Sequence, residues 1–210
     1  MIILPDSENT RQQAAKVIGE GGVIAFRTDT FYGLGADPFD SNAVLRIKEL
    51  KGREDNKPIL LLVADETDLE RLISKRSKVF DRLAREFWPG PLTLIGAARN
   101  SLSTAITAGS GTVGIRLPDD KGVRNLVRQC GGALTATSAN TSGSEPARSA
   151  QEVMEYFPRG LDLIIDSGEV TATAPSTVID ATSTRPFVVR EGIVTREQLD
   201  SILGRISAEL

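Results

Sequence analysis

Three cations crowd the place where a helix should end: Lys51, Arg53 and Lys57, in the stretch KGREDNK. Five aliphatic residues, Ile59 to Val63, follow directly. Cations favour a helix C-terminus, and Gly52 suits the position just past it. That accounts well for Lys51, less well for Arg53 and poorly for Lys57. Three cations beside a buried strand also make a clamp for phosphate. A second cluster is RTDTFYGLGAD, residues 27–37, where Thr28 and Thr30 flank an acid before an aromatic and Gly-Leu-Gly. Hydroxyls and bare glycine amides at the carboxyl end of a strand can hold a small polar ligand. The same residues also suit a tight turn with Gly33 and Gly35 at positive φ.

Three further stretches carry the same residue types. GSGTVGIRLP, residues 109–118, matches GxGxxG, but it leads into a strand instead of opening a helix, so the match is no dinucleotide fingerprint. Its Arg116 lies on that strand, facing away from Ile115 and Leu117. It is either solvated or set to meet an anion. TATSANTSGSEPARS, residues 135–149, is rich in hydroxyls. Ser138 and Asn140 share a face if the strand continues, and Arg148 lies downstream. Such a loop is either a solvated turn or a set of donors for phosphate or base edges. In APSTVIDATSTRPFVVREG, residues 174–192, Ser176 opens a strand and Arg190 ends the next. Ser176 also suits an ordinary strand start, and Arg190–Glu191 a surface pair of little worth. Taken together, the five stretches offer hydroxyls and Arg or Lys at strand ends, with no nucleophile–base pair. That set suits chemistry driven by positioning and charge neutralisation, such as nucleotidyl transfer.

Composition narrows the field. The 210 residues contain no histidine and one cysteine, Cys130. Ser–His–Asp and Cys–His catalysis, HExxH sites and tetrahedral zinc are thereby excluded. Cys130 reads as a small apolar residue on a helix end, with a catalytic thiol as the lesser reading. A metal here would be a hard ion such as Mg²⁺, held by carboxylates and substrate phosphates, with no particular residue assigned to it. No P-loop is present. Net charge is -3, so binding of nucleic acid through overall charge is not indicated, though a local basic patch is compatible with it. No apolar run reaches membrane-spanning length, and the single cysteine suits a reducing, cytoplasmic setting.

The elements that must position these residues alternate. Helices are expected after Asp6 or Ser7, over SNAVLRIKEL, near 66–73 and 77–87, over GVRNLVRQC, near 149–157 and over TREQLDSILGRI. In the last, Thr195 and Gln198 have capping-box spacing. Strands are expected at GVIAFRT, PILLLV, LTLIGA, TVGIRLP, ALTATSA, LDLIID, STVIDA and PFVVRE. This pattern predicts an α/β fold with a central mixed sheet flanked by helices, in a single domain over residues 1–210.

In order, the motifs RTDTFYGLG, KGR, WPGPLT, VGIRLP, SAN, STVID and REG resemble those of the YrdC/Sua5 family of threonylcarbamoyl-AMP synthases. The likeness spans residues 22 to about 192. It implies a twisted sheet with a concave, positively lined cavity. It further implies the reaction of L-threonine, bicarbonate and ATP to threonylcarbamoyl-adenylate and pyrophosphate. The product would pass to separate transferase proteins that modify tRNA. Carried over by position, Thr30 and Ser138 would contact threonine and Arg116 its carboxylate. Lys51, Arg53 and Lys57 would face the triphosphate, Lys51 and Arg53 as the catalytic pair. Thr112, Asn140, Arg148 and Arg190 would hold the nucleotide, with Ser176 in the same cavity.

The chain departs from the family pattern at Arg27 and Glu54, where proline is usual or frequent. Leu62 stands near the place where longer members carry a histidine. The chain resembles the short form, without the extra C-terminal domain of those members. Two other readings start from the same residues. One is a noncatalytic RNA-binding module using the basic cavity, against which net acidity and a single tryptophan weigh. The other is a carbamoyl-adenylate-forming enzyme serving another acceptor.

Overall fold

The computed structural model describes residues 1–52 and 57–208, with side chains described through residue 204. The chain opens with strand β1 (Ile2–Pro5) and helix α1 (Glu8–Gly19). Ser7 caps α1 by accepting from the Thr10 amide at 3.1 Å, and Thr10, Ala14 and Ile18 form its buried face at four-residue spacing. Strands β2 (Ile24–Arg27) and β3 (Tyr32–Gly35) follow as an antiparallel pair. Gly33 and Gly35 thus lie within a strand, not at positive φ in a turn. The cause at Gly35 is crowding: an added Cβ would lie 2.8 Å from the Phe26 ring and 3.0 Å from Leu134.

Helix α2 (Ser41–Lys51) is capped by Asp40 and ends at Gly52 in the left-handed region, φ 56°. Its buried face comprises Ala43, Val44 and Ile47, and includes the two lysines Lys48 and Lys51. Strand β4 (Leu61–Val63) is shorter than PILLLV but buried on both sides, as its unbroken aliphatic run requires. The segment Glu66–Arg71 is a 3₁₀ turn, and Ile73–Lys75 form a short strand, β5, where a helix to 73 was expected. Only Leu69 of that turn is buried, so there is no apolar face to support a longer helix.

Helix α3 (Lys78–Phe87), strand β6 (Leu92–Ala98), the short helix α4 (Thr104–Thr107), strand β7 (Thr112–Arg116) and helix α5 (Lys121–Gln129) come next. The segment ALTATSA divides into β8 (Ala133–Thr135) and β9 (Thr137–Ser138). Helix α6 (Ala150–Tyr156), strands β10 (Leu163–Asp166), β11 (Thr177–Asp180) and β12 (Phe187–Arg190), and helix α7 (Arg196–Ala208) complete the order. Thr195 and Gln198 form the expected capping box, at 2.9 and 3.3 Å.

The strands make two sheets instead of one central sheet. The first has the order β1-β10-β2-β3-β9, with β1, β10 and β2 parallel. The second has the order β12-β11-β6-β7-β4-β8, with β5 pairing β6. The chain passes between them at Ala136. Thr135 is the last residue held in the second sheet, opposite Leu61, and its hydroxyl already reaches toward the first by accepting from the Ala36 amide, just past β3, at 2.8 Å; Ala136 donates to Leu60 O at 2.8 Å. The larger core takes Ala25, Leu61, Leu94 and Ile115. A smaller one takes Ile24, Phe26 and Leu62 beneath α1 and α5. Neighbouring residues of β2 and β4 thus serve different cores, the two-residue period of a strand covered on both faces.

Candidate functional site

The two sheets enclose a cavity of about 770 Å³. Strand alternation builds its wall from the second sheet. Thr93 and Ile95 of β6, Gly114 and Arg116 of β7, and Val178 of β11 face it. Their neighbours Leu94, Val113, Ile115 and Ile179 face the larger core. A Cβ on Gly114 would stand 3.3 Å from the Thr93 methyl, so this glycine keeps the floor open. The first sheet contributes the turn between β2 and β3 and the end of β9. Every described residue to which the family likeness gave a site role lines this one space: Thr30, Lys51, Lys57, Thr112, Arg116, Ser138, and with them Asn140, Arg148, Ser176 and Arg190. Arg53 lies outside the described residues.

Lys51 is buried at the end of α2 and its ammonium is turned onto the loop after β9. It donates to the main-chain oxygens of Ser138 and of Asn140, the latter at 2.8 Å, and reaches Asn140 Oδ1 at 3.2 Å. Its own carbonyl accepts from the Ser142 amide at 3.0 Å. Asn140 is in turn tied down at both ends of its amide. Oδ1 accepts from Ser138 Oγ at 2.5 Å, and Nδ2 donates to Thr141 O at 2.9 Å and Ser144 O at 2.7 Å. Ser138 and Asn140 do meet on one side, although β9 stops at Ser138. Helix-end charge alone therefore does not explain Lys51; its ammonium fixes the shape of a cavity loop. Lys57, in contrast, is exposed at the cavity edge.

The turn at residues 28–31 is closed by Thr28. Its hydroxyl donates to Phe31 O at 2.7 Å and accepts from the amides of Thr30 and Phe31, at 3.1 and 3.2 Å. Such hydroxyl turns replace main-chain pairing where a strand reverses. Thr30 Oγ1 lies 3.0 Å from Thr28 Oγ1 and accepts from Arg116 Nη1 at 3.3 Å. Arg116, only 2% exposed, meets an anion as one of the sequence alternatives had it, and the anion is the chain's own Asp29. Its Nε is buried and has no hydrogen-bond partner among the described residues. Burial lowers the Arg116 pKa, Asp29 acts against that, and the nearby charge of Arg190 adds to the lowering.

Arg190 closes the opposite side. Its Nε and Nη2 both donate to Ser176 O, at 3.2 and 2.9 Å, and Nη2 reaches Ser176 Oγ at 3.2 Å. It is thus anchored to Ser176 instead of paired with Glu191 on the surface. Partial burial lowers its pKa. Ser176 Oγ in turn lies 3.0 Å from Thr93 Oγ1, both side chains buried. The following Gly192 lets the chain pass against this strand, since a Cβ there would stand 2.2 Å from Pro175 O. Thr112 pairs with Ser110 Oγ at 2.9 Å, and the Arg148 guanidinium lies 5.6 Å from the centre of the Phe31 ring.

The sequence assigned no individual role to Asp29, Thr28, Phe31, Thr93 or Glu145, although the first three fall in the RTDTFYGLGAD cluster it singled out. Four of these line the wall, and Asp29 pairs with it from outside. Thr93 carried a signal in the WPGPLT segment, and Thr28 and Asp29 in the TDT triplet. Glu145 is the one carboxylate lining the cavity among the described residues, and no group of three metal-ligating side chains occurs among them. Hydroxyls and one carboxylate suit a hard ion that brings phosphate ligands with it, not one caged by protein. Cys130 lies away from the cavity and caps α5; burial pushes its thiol up to about 12, which removes the catalytic reading. No described helix is long and apolar enough to cross a membrane.

Residues 16–192 match the Sua5/YciO/YrdC family model, whose description is telomere recombination. The threonylcarbamoyl-AMP synthase of Pyrococcus abyssi is 39% identical over 193 residues, covering 92% of this chain and 57% of the relative. That of Idiomarina loihiensis is 36% identical over 179 residues, covering 83% of this chain and 95% of the relative. The crystal structure of P. abyssi Sua5 complexed with L-threonine superposes with a TM-score of 0.91 at 37% identity, over 97% of this chain and 60% of that one.

Proposed function

The chain belongs to the Sua5/YciO/YrdC family, and we propose that its cavity makes threonylcarbamoyl-adenylate from L-threonine, bicarbonate and ATP, releasing pyrophosphate. The observation that carries this reading is the convergence of cations and hydroxyls from two sheets on one space. The threonine complex of the P. abyssi relative supports the choice of amino acid.

In this reading the threonine nitrogen takes up the carbon of bicarbonate with loss of water. An oxygen of the resulting carbamate attacks the α-phosphorus of ATP, and the bond to the pyrophosphate oxygen breaks. No protein nucleophile is required, in keeping with a chain that has no histidine. Thr30, Ser138 and Arg116 form the amino-acid end. Lys57 and Arg53 meet the triphosphate, and Lys51 holds the loop between the two ends. Thr112, Asn140, Arg148, Ser176 and Arg190 frame the nucleotide, with Arg148 and Phe31 offering a flat surface. Fixed cations act here by neutralising charge that grows in the transition state. Mg²⁺ bound to the triphosphate would supply further neutralisation. The product would go to separate transferases acting on tRNA in the cytoplasm.

The test is pyrophosphate release by the purified chain. Release should require ATP, L-threonine and bicarbonate together. Release without threonine, or with carbamoyl phosphate in place of threonine and bicarbonate, would overturn the substrate assignment.

A further inference from the structure

Asp29 stands between two cavity-lining threonines and does not line the cavity itself. The Thr28 hydroxyl closes this turn onto Thr30 and Phe31, fixing the main chain on both sides of Asp29. The Asp29 carboxylate is ion-paired with Arg116, which does line the cavity. Among the described residues it is the one acid paired with Arg116, and Arg116 is its one partner. The same guanidinium touches the Thr30 hydroxyl through Nη1. One guanidinium thus joins an acid outside the wall to a hydroxyl inside it.

We propose that Asp29 is a positioning residue for the amino-acid end of the cavity, fixing the Arg116 guanidinium against Thr30 from outside the wall. The naming of that end rests on the function proposed above; the coupling of Asp29 to Arg116 does not. A guanidinium presents donors in a rigid plane, so one carboxylate on Nη2 sets the direction of all the others. Arg116 comes from β7 in the second sheet and Asp29 from the turn after β2 in the first. The pair therefore also sets how the turn that carries Thr30 sits over the floor. Stability gives little reason for such a pair, because a buried ion pair is often no better than apolar packing of the same volume. A role in shaping the site gives one. The acid of the TDT triplet then has work distinct from that of the threonines beside it.

The experiment compares the wild type with Asp29→Asn and Asp29→Glu by pyrophosphate release against threonine and against ATP. Loss of a charge-assisted hydrogen bond at Arg116 should raise the KM for threonine about tenfold or more in D29N. The KM for ATP should stay within about twofold, and D29E, which keeps the charge, should fall between D29N and wild type. A purely structural role would lower thermal stability and move both KM values together. In parallel, phenylglyoxal labelling of Arg116, located by mass spectrometry without any substrate, should be faster in D29N. Faster labelling in a chain whose wild type shows no threonine-dependent release would sink the proposed function and leave the positioning role standing. Unchanged labelling of Arg116, or equal shifts of both KM values, would overturn the proposal. Should D29N fail to fold, D29E decides: its longer reach must move Arg116, and an unchanged KM for threonine counts against it.

Discussion

Lys51 and Asn140 are joined through two oxygens of the same residue: the ammonium lies 2.8 Å from the Asn140 main-chain oxygen and 3.2 Å from its Oδ1. A helix end in one part of the chain thereby dictates the path of a loop almost ninety residues later. The functional value of Lys51 comes through that loop as much as through its charge.

Replacing Lys51 with Met should take its donor from the Asn140 carbonyl, whereas the Ser138 carbonyl keeps the Asn140 amide at 3.0 Å. An unmet buried carbonyl costs about 1–3 kcal/mol. A urea titration should show a loss in that range, and pyrophosphate release should fall more than about tenfold through misplacement of Ser138. Activity retained in Lys51→Met would show that the loop holds its shape unaided.

Arg190 uses two nitrogens on one residue, Ser176, and a lysine cannot copy that geometry. Arg190→Lys should raise the KM for ATP by roughly tenfold, the worth of one charge-assisted hydrogen bond. Its melting temperature should change little. An unchanged KM would take Arg190 out of the nucleotide site.

Gly192→Ala puts a methyl group against the main chain of Pro175 and Ser176, where the gap is 2.2 Å. Main chain cannot yield as a side-chain tip can, so overpacking should cost about 1–3 kcal/mol. The shift reaches Arg190, two residues earlier. Calorimetry and the KM for ATP should move together in this variant, in contrast with Arg190→Lys.

Cys130 has its thiol raised from 9.0 to about 12 by burial. At pH 8 the native thiol should be alkylated by iodoacetamide far more slowly than the urea-unfolded chain. The sign for stability follows from proton binding: between pH 9 and about 12 the unfolded chain gives up this proton and the native chain keeps it. Its contribution is complete below pH 9 and declines as pH rises toward about 12. Rapid labelling of the native protein at pH 8 would contradict the burial.

Much of the site was legible because it is written in local alternation. Thr112 and Arg116, two residues either side of Gly114, must share a face if β7 is a strand, and that face proves to be the cavity wall. The helix caps at Ser7 and Thr195 were equally local. The division into two sheets was not legible, because it depends on Thr135 pairing opposite Leu61 while Ser138, three residues on, pairs opposite Gly33, contacts between residues far apart in sequence. The YGLG segment misled for a related reason. Gly35 is needed to clear Phe26 and Leu134, which only the folded packing brings near. Asp29 was hidden by the same distance, since its partner Arg116 lies eighty-seven positions away.

The passage of the chain at Ala136 makes the segment between Thr135 and Thr137 a fixed ruler. β8 is registered to β4, with Thr135 opposite Leu61, and β9 is registered to β3, with Ser138 opposite Gly33. One residue added or removed at Ala136 would leave β8 in place and invert β9, turning Ser138 out of the cavity while every amino acid of the site remained present. At this seam it is the count of residues, more than their identity, that aligns the two halves of the site.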